Sequence, residues 1–188
     1  MVLTLFLVSA VASTTLGFVY ELTKAPIAEA KRQKKLSAIK VVVPSFDNNP
    51  DGEMFKVPAG ENGTDSLEVY PAKNGEEVIG YAIKTYTNQG FSGLIELMVG
   101  FELNGNIHNI SVLYHAETPG LGDKMEEKKF PKWVGQFKGK NPSENDLRVK
   151  KDGGELDAIT ATTISSRAYC DAVDRAHRAF EFINTQDQ

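Results

Sequence analysis

The sequence predicts an α+β fold: an antiparallel sheet with packed helices, preceded by one N-terminal transmembrane helix. Three observations predict it. Met1 to Tyr20 carry no charged side chain and are rich in Val, Leu, Phe and Ala. Two apolar runs, Leu94 to Leu103 and Ile107 to Tyr114, flank Asn104-Gly105, the dipeptide best suited to a tight hairpin turn. Near the C-terminus, Ala168, Ala172, Val173, Ala176, Phe180 and Ile183 recur at spacings of three and four, as on a helix with one buried face. The expected organisation is an anchor over 1–20, a linker helix and loop over 21–66, and one folded domain over 67–188.

Each element has its own reason. A twenty-residue helix rises roughly 30 Å, enough to cross the hydrocarbon layer of a bilayer. Thr4, Ser9, Ser13, Thr14 and Thr15 dilute the apolar run, but their hydroxyls can bond back to helix carbonyls. Ala10-Val11-Ala12 also fits a signal-peptide cleavage site, although no basic segment precedes it, and a buried core helix is a third reading. Pro26 then suits the first turn of a short helix running to about Ile39, and Val41-Val42-Val43 reads as a strand before Pro44. Ser45 to Ser66 is polar and rich in Gly, Asn and Pro, which predicts a loop. Val78 to Tyr86 alternates as a strand. The hairpin follows, then a loop over His115 to Asp123, a helical stretch interrupted by Pro131, and a helix from about Ile164 to Ile183.

Composition narrows the chemistry. The 188 residues carry 21 basic and 25 acidic side chains, for a formal net charge of −4, which argues against a nucleic-acid binder working through a phosphate-gripping surface. A single cysteine, Cys170, rules out intramolecular disulfides, a tetrathiolate zinc site and a Cys-ligated iron–sulfur cluster. It falls on the apolar face of the last helix and reads as a small buried hydrophobe. From Glu21 to Lys40, six basic residues face two acidic ones, and the positive-inside rule places such a stretch in the cytoplasm. Its alternatives are a solvated helix or one lying near anionic headgroups.

Two segments carry the chemistry. His115-Ala116-Glu117-Thr118-Pro119-Gly120-Leu121-Gly122 follows the hairpin directly. Its Pro-Gly pair makes a tight turn, and its glycines leave backbone amides open to a phosphate or an aromatic heterocycle, or simply satisfy the turn. The second segment, Asp152 to Ser166, places five hydroxyls (Thr160, Thr162, Thr163, Ser165, Ser166) within seven residues at the mouth of the last helix. Helix amides there lack partners and the dipole favours an anion. One hydroxyl suffices for an N-cap. Five exceed that need, and a phosphorylated ligand would use the surplus.

Asp157-Ala158-Ile159-Thr160-Ala161-Thr162-Thr163 resembles the flavinylation motif of the FMN-binding domain family: Asp, two variable residues, Ser or Thr, Gly, Ala, Thr. Within that family the chain is similar to the G subunit of the Rnf electron-transport complex, a relative of the C subunit of the sodium-translocating NADH:quinone reductase. The likeness includes His115 to Gly122, the pair Gly153-Gly154 and the N-terminal apolar helix, and covers essentially the whole chain. Ala161 stands where the motif has Gly and Thr162 where it has Ala; a positive φ at Ala161 would impose strain.

The resemblance implies an electron-transfer subunit of an ion-translocating ferredoxin:NAD oxidoreductase, with no soluble substrate of its own. It implies FMN joined through its phosphate to Thr163 by a flavin transferase, with Thr162 as a competing hydroxyl. Thr160, Ser165, Ser166, Glu117, Thr118, Gly120, Leu121 and Gly122 would surround the cofactor, and Asp157 would support the attachment loop or its recognition. Ser165 and Ser166 would bond phosphate oxygens or cap the helix. Expected partners are the membrane subunits of the complex. The domain would lie outside the cytoplasm on a single-pass plasma (inner) membrane anchor, against the direction the basic stretch suggests. Two alternatives stand beside this: an FMN domain of another extracytoplasmic electron-transfer chain, and a tethered binding module without flavin. His108 reads as a surface residue, His115 as structural, and Trp133 as core.

Overall fold

Alternating burial builds the sheet. In the computed structural model, which describes residues 1–59 and 65–186, five strands run β1 (Phe55–Pro58), β2 (Ser66–Asn74), β3 (Glu77–Gly90), β4 (Gly93–Glu102) and β5 (Ile107–His115). Each pairs antiparallel with the next in chain order, a plain meander. On β4, Ile95, Leu97, Val99 and Phe101 are buried on one face and Met98 on the other, as the two-residue period requires. The α+β class and the hairpin around Asn104-Gly105 are as expected, with Gly105 at φ 86°.

Both faces of the sheet are covered. The face bearing Leu97 and Phe101 packs on α3 (Thr163–Gln186), whose Ala168, Ala172, Val173, Ala176, Phe180 and Ile183 are all buried. Thr85 Oγ1 donates to the Ala172 carbonyl at 2.9 Å and Thr87 Oγ1 to Asp171 Oδ2 at 2.7 Å, so β3 fixes the position of α3 along the sheet. Trp133, on the five-residue α2 (Pro131–Gly135), is fully buried with ring contacts to Phe137 and Tyr169 at 5.3 and 5.5 Å. Each such edge-on contact contributes about 0.5–1.5 kcal/mol beyond area burial. Cys170 is buried, and burial pushes its thiol up to about 12, which keeps it protonated and inert.

Several expectations require correction. Residues 2–42 form one continuous helix, α1 (Val2–Val42), with Pro26 inside it, rather than an anchor followed by a separate helix from Pro26. Val41-Val42-Val43 closes that helix and its exit and is not a strand. Ala38, Ile39, Val42 and Val43 pack on Tyr70, Ala72, Ala82 and Met98 of the second sheet face, and this burial outweighs β-branched propensity. Gly100 permits the approach: a Cβ there would lie 1.7 Å from the Val42 carbonyl oxygen. Ser45 to Ser66 is not all loop, since Phe55–Pro58 forms the edge strand β1, where Pro58 lacks only an edge N–H. The part of that expected loop at 60–64 lies outside the described residues. Pro131 begins α2 rather than interrupting a helix.

The chain divides into Met1–Lys35 and Leu36–Gln188. In the first unit, Leu3, Phe6, Val11, Leu16 and Phe18 are all exposed, and Thr14 and Thr15 return their hydroxyls to the Ala10 and Val11 carbonyls at 2.8 Å. By length and composition α1 is able to cross a membrane. The second unit holds the sheet, the last turns of α1, and α3.

Candidate functional site

Two tight turns of the same kind face a common cavity. In Thr118-Pro119-Gly120-Leu121, the Leu121 N–H reaches the Thr118 carbonyl at 3.1 Å, with Pro second and Gly120 third at φ 78°. In Ile159-Thr160-Ala161-Thr162, the Thr162 N–H reaches the Ile159 carbonyl at 3.1 Å and Ala161, again third, has φ 64°. A positive φ at the third position marks a type II turn, where glycine is favoured. Among the described residues, Ala161 is the only non-glycine at positive φ. The expected strain at Ala161 is therefore present.

The first turn is braced from behind. His115 Nδ1 accepts the Glu117 N–H at 3.2 Å, so its proton sits on Nε2, which donates to Glu126 Oε1 at 2.8 Å. Lys129 Nζ donates to the buried Asp123 Oδ2 at 3.0 Å. The Gly120 N–H and then the Lys129 ammonium hold the Asp123 carboxyl below the usual carboxylate range. His115 is thus structural. His108 lies partly exposed on β5, with Nδ1 3.1 Å from Glu102 Oε1.

The second turn delivers the chain into α3, and its hydroxyls divide by use. Thr162 is buried and donates Oγ1 to the Ile159 carbonyl at 3.2 Å. Ser166, fully buried, donates to the Thr162 carbonyl and accepts the Ile159 N–H, both at 3.0 Å. Its hydroxyl closes the turn. Thr163 is the first helical residue and is half-exposed; its Oγ1 accepts from Lys151 Nζ at 3.3 Å. The first helical bond is from the Ser166 N–H to the Thr162 carbonyl, so the amides of Thr163, Ile164 and Ser165 have no acceptor within the helix. Asp157 is exposed at the head of this segment, where Lys150 Nζ donates to its Oδ1 at 2.7 Å.

Glu117 joins the two turns. Its carboxyl is buried, accepting the Ser165 hydroxyl on Oε2 at 2.7 Å and the Ser92 N–H on Oε1 at 3.1 Å. Gly122 makes room for it, since a Cβ at that position would lie 2.7 Å from Glu117 Oε2.

The cavity between the turns has a volume of about 350 Å³, within the range of small-molecule sites. It brings together Glu117, Thr118, Leu121, Gly122, Thr162, Thr163 and Ser165. Gly120, Thr160 and Ser166 do not line it: Gly120 shapes its turn, Thr160 faces solvent and Ser166 is internal. Sequence reasoning missed Phe91, Ala161 and Ile164 as lining residues. Phe91 carries a usable signal, because a large aromatic in the two-residue turn between Gly90 and Gly93 has no reason to be there for the turn's sake. Phe91, Leu121 and Ile164 are exposed and form an apolar rim.

This arrangement fits FMN. The apolar rim suits an isoalloxazine ring, the three open amides with Lys151 suit a phosphate, and Thr163 offers a hydroxyl between them. A larger groove of about 660 Å³ runs beside α3, but Asp146 pairs with Arg148 and Asp152 with Arg167 along it.

The chain is similar to known proteins over most of its length. The FMN-binding domain family matches residues 90–178. The G subunit of the ion-translocating oxidoreductase complex of Shewanella amazonensis is 39% identical over 172 residues, which are 88% of this chain and 80% of that protein. The protein of the same name from Salmonella typhi is 36% identical over 189 residues, 98% and 91% of the two chains. The crystal structure of Shewanella oneidensis NqrC aligns with a TM-score of 0.43 and 18% identity, over 70% of this chain and 67% of that one.

Proposed function

The chain belongs to the family of G subunits of ion-translocating oxidoreductase complexes, and from that premise we propose a membrane-anchored electron-transfer subunit bearing FMN on Thr163. It is a redox subunit, membrane-associated through α1, and works with other subunits of its complex. As a finer reading, the complex couples ferredoxin and NAD to ion movement, and the domain faces outside the cytoplasm. Protease access in sealed membrane vesicles of known polarity tests that orientation.

The observation that carries the attachment site is the unequal use of two adjacent hydroxyls. Thr162 Oγ1 is buried and bonded to the Ile159 carbonyl, whereas Thr163 Oγ1 stands half-exposed at the rim of the cavity. Thr163 is the acceptor of the flavin transferase reaction. Its hydroxyl would lose a proton to solvent as Oγ1 bonds the flavin-side phosphorus of FAD, while the pyrophosphate P–O bond would break and AMP would leave. The Thr163, Ile164 and Ser165 amides, free of helical acceptors, would help hold the single negative charge of the diester. Glu117, held by Ser165 and Ser92, gives the cavity a fixed polar wall, and Phe91, Leu121 and Ile164 give its mouth an apolar rim. Bound there, FMN supplies one- and two-electron redox chemistry, which the protein positions and tunes.

Co-expression with a flavin transferase tests this reading. Native chain and Thr162→Ala should both give a flavin-fluorescent band on a denaturing gel, and Thr163→Ala should give none. A colourless native chain would leave only a tethered module; fluorescence surviving in Thr163→Ala would remove the site.

A further inference from the structure

We infer that Lys151 is the cationic clamp of this site: it polarises the Thr163 hydroxyl before attachment and neutralises the phosphodiester afterwards. The inference rests on the reading of Thr163 as the flavin attachment point and adds a residue to it. Lys151 stands twelve positions upstream, outside the hydroxyl-rich motif, and its Nζ donates to Thr163 Oγ1 at 3.3 Å.

The local structure is built to put that ammonium there. Lys150, Lys151 and Asp152 form a single 3-10 turn, and each reaches a different part of the attachment segment. Lys150 bonds Asp157 Oδ1 at 2.7 Å, and Asp152 takes Arg167 bidentately, with Nε and Nη2 both at 2.6 Å. These two ion pairs hold the turn at both ends. They also occupy the other two cations, so of Lys150, Lys151 and Arg167 only Lys151 addresses Thr163. The chain then doubles back through Gly153-Gly154, where Leu156 bridges Val149 and a Cβ at Gly154 would lie 2.1 Å from the Arg148 carbonyl oxygen. The paired glycines thus keep the lysine turn pressed against the motif.

The chemistry follows from the direction of the hydrogen bond. An ammonium is a donor only, so Thr163 Oγ1 accepts from Lys151 and its own proton remains free to leave. A positive charge beside Oγ1 favours the negative charge that develops there as the proton departs. After attachment, the same Nζ would stay near the esterified Oγ1 and would add its charge to that of the helix amides in holding a monoanionic diester. Lys151 is exposed, so the effect is moderate and screened by salt.

Time courses of attachment to the full-length chain, with limiting transferase and FAD and read by intact mass, test the assignment. Lys151→Gln should slow attachment roughly tenfold, Lys151→Arg should keep most of the rate, and Lys151→Glu should be slower than Lys151→Gln. Phosphorus NMR of fully loaded protein separates a clamp from a transferase contact: the diester resonance should move in Lys151→Gln. Native rates together with an unmoved resonance in Lys151→Gln would overturn the role of Lys151 while leaving Thr163 as the site. Failure of the native chain to load at Thr163 would overturn both.

Discussion

The Ser165 hydroxyl donates to Glu117 Oε2 at 2.7 Å, and through that bond the first turn of α3 is fastened to the loop after β5 across 48 residues of sequence. The bond is buried, so both partners depend on it. Ser165→Ala should cost about 1–3 kcal/mol by leaving a buried acceptor unpaired. A double-mutant cycle with Glu117→Ala, read by urea unfolding, should return a coupling of about 1.5–3 kcal/mol, the range for hydrogen bonds to charged groups. Additive losses would mean that the two turns are held by something else.

Ala161 marks the place where this chain gives up stability. At φ 64° an alanine carries a left-handed penalty of about 1–2 kcal/mol, against which glycine's extra unfolded-state freedom sets about 0.4–1 kcal/mol. Ala161→Gly should therefore stabilise the protein by about 0.5–1 kcal/mol. A raised urea midpoint with unchanged slope checks this, and a lowered midpoint contradicts the type II turn.

Gly100 lets the sheet and the end of α1 approach closely. Its alanine variant places a carbon 1.7 Å from a backbone oxygen, which no side-chain rotation relieves. Gly100→Ala should destabilise by about 3 kcal/mol or more through forced separation of Val42 from Met98 and Ala82. Thermal unfolding of the full-length chain in detergent measures it.

His177 makes stability depend on mild acidity. It is buried on α3 against Phe101 and Phe180, with Ser143 Oγ 3.2 Å and Glu181 Oε1 3.9 Å from Nε2. Burial pulls its pKa below the ordinary 6.5, outweighing the opposing Glu181 and Asp174 carboxylates. Below 6.5 the unfolded chain binds the proton first, so the contribution is complete above 6.5 and is lost as pH falls through the lower folded-state value. Urea midpoints should drop as pH is lowered below 6.5 in the native chain, and this slope should be shallower in His177→Gln.

Much of this architecture is legible where local chemistry and tertiary demand agree. Asn104-Gly105 dictates a tight turn whatever surrounds it, and the Ala168-to-Ile183 spacing describes the face that α3 buries. Val41-Val42-Val43 invites the wrong reading because three β-branched residues favour extended backbone, and only the sheet face beneath them, opened by Gly100, reverses the preference. Phe55–Pro58 is hidden in the sequence because a four-residue edge strand ending in Pro has too few residues to show alternation. At the site, the hydroxyl cluster and the Glu117-to-Gly122 loop stand out, yet their division of labour does not. Whether Ser166 binds a ligand or closes a turn is decided by the Ile159 amide, which spacing does not reveal. Phe91 and Lys151 come from turns distant in sequence, and only folding brings them to the cavity and to Thr163.

The most direct measurement is the position of the flavin on the peptide. Lys151 and Arg167 bound a tryptic fragment, Asp152 to Arg167, that contains every hydroxyl of the motif. Fragmentation of this peptide from transferase-treated protein should place the mass of FMN, less one water, on Thr163. The same adduct on Thr162 or Thr160, or an unmodified peptide from protein exposed to active transferase and FAD, would contradict the assignment.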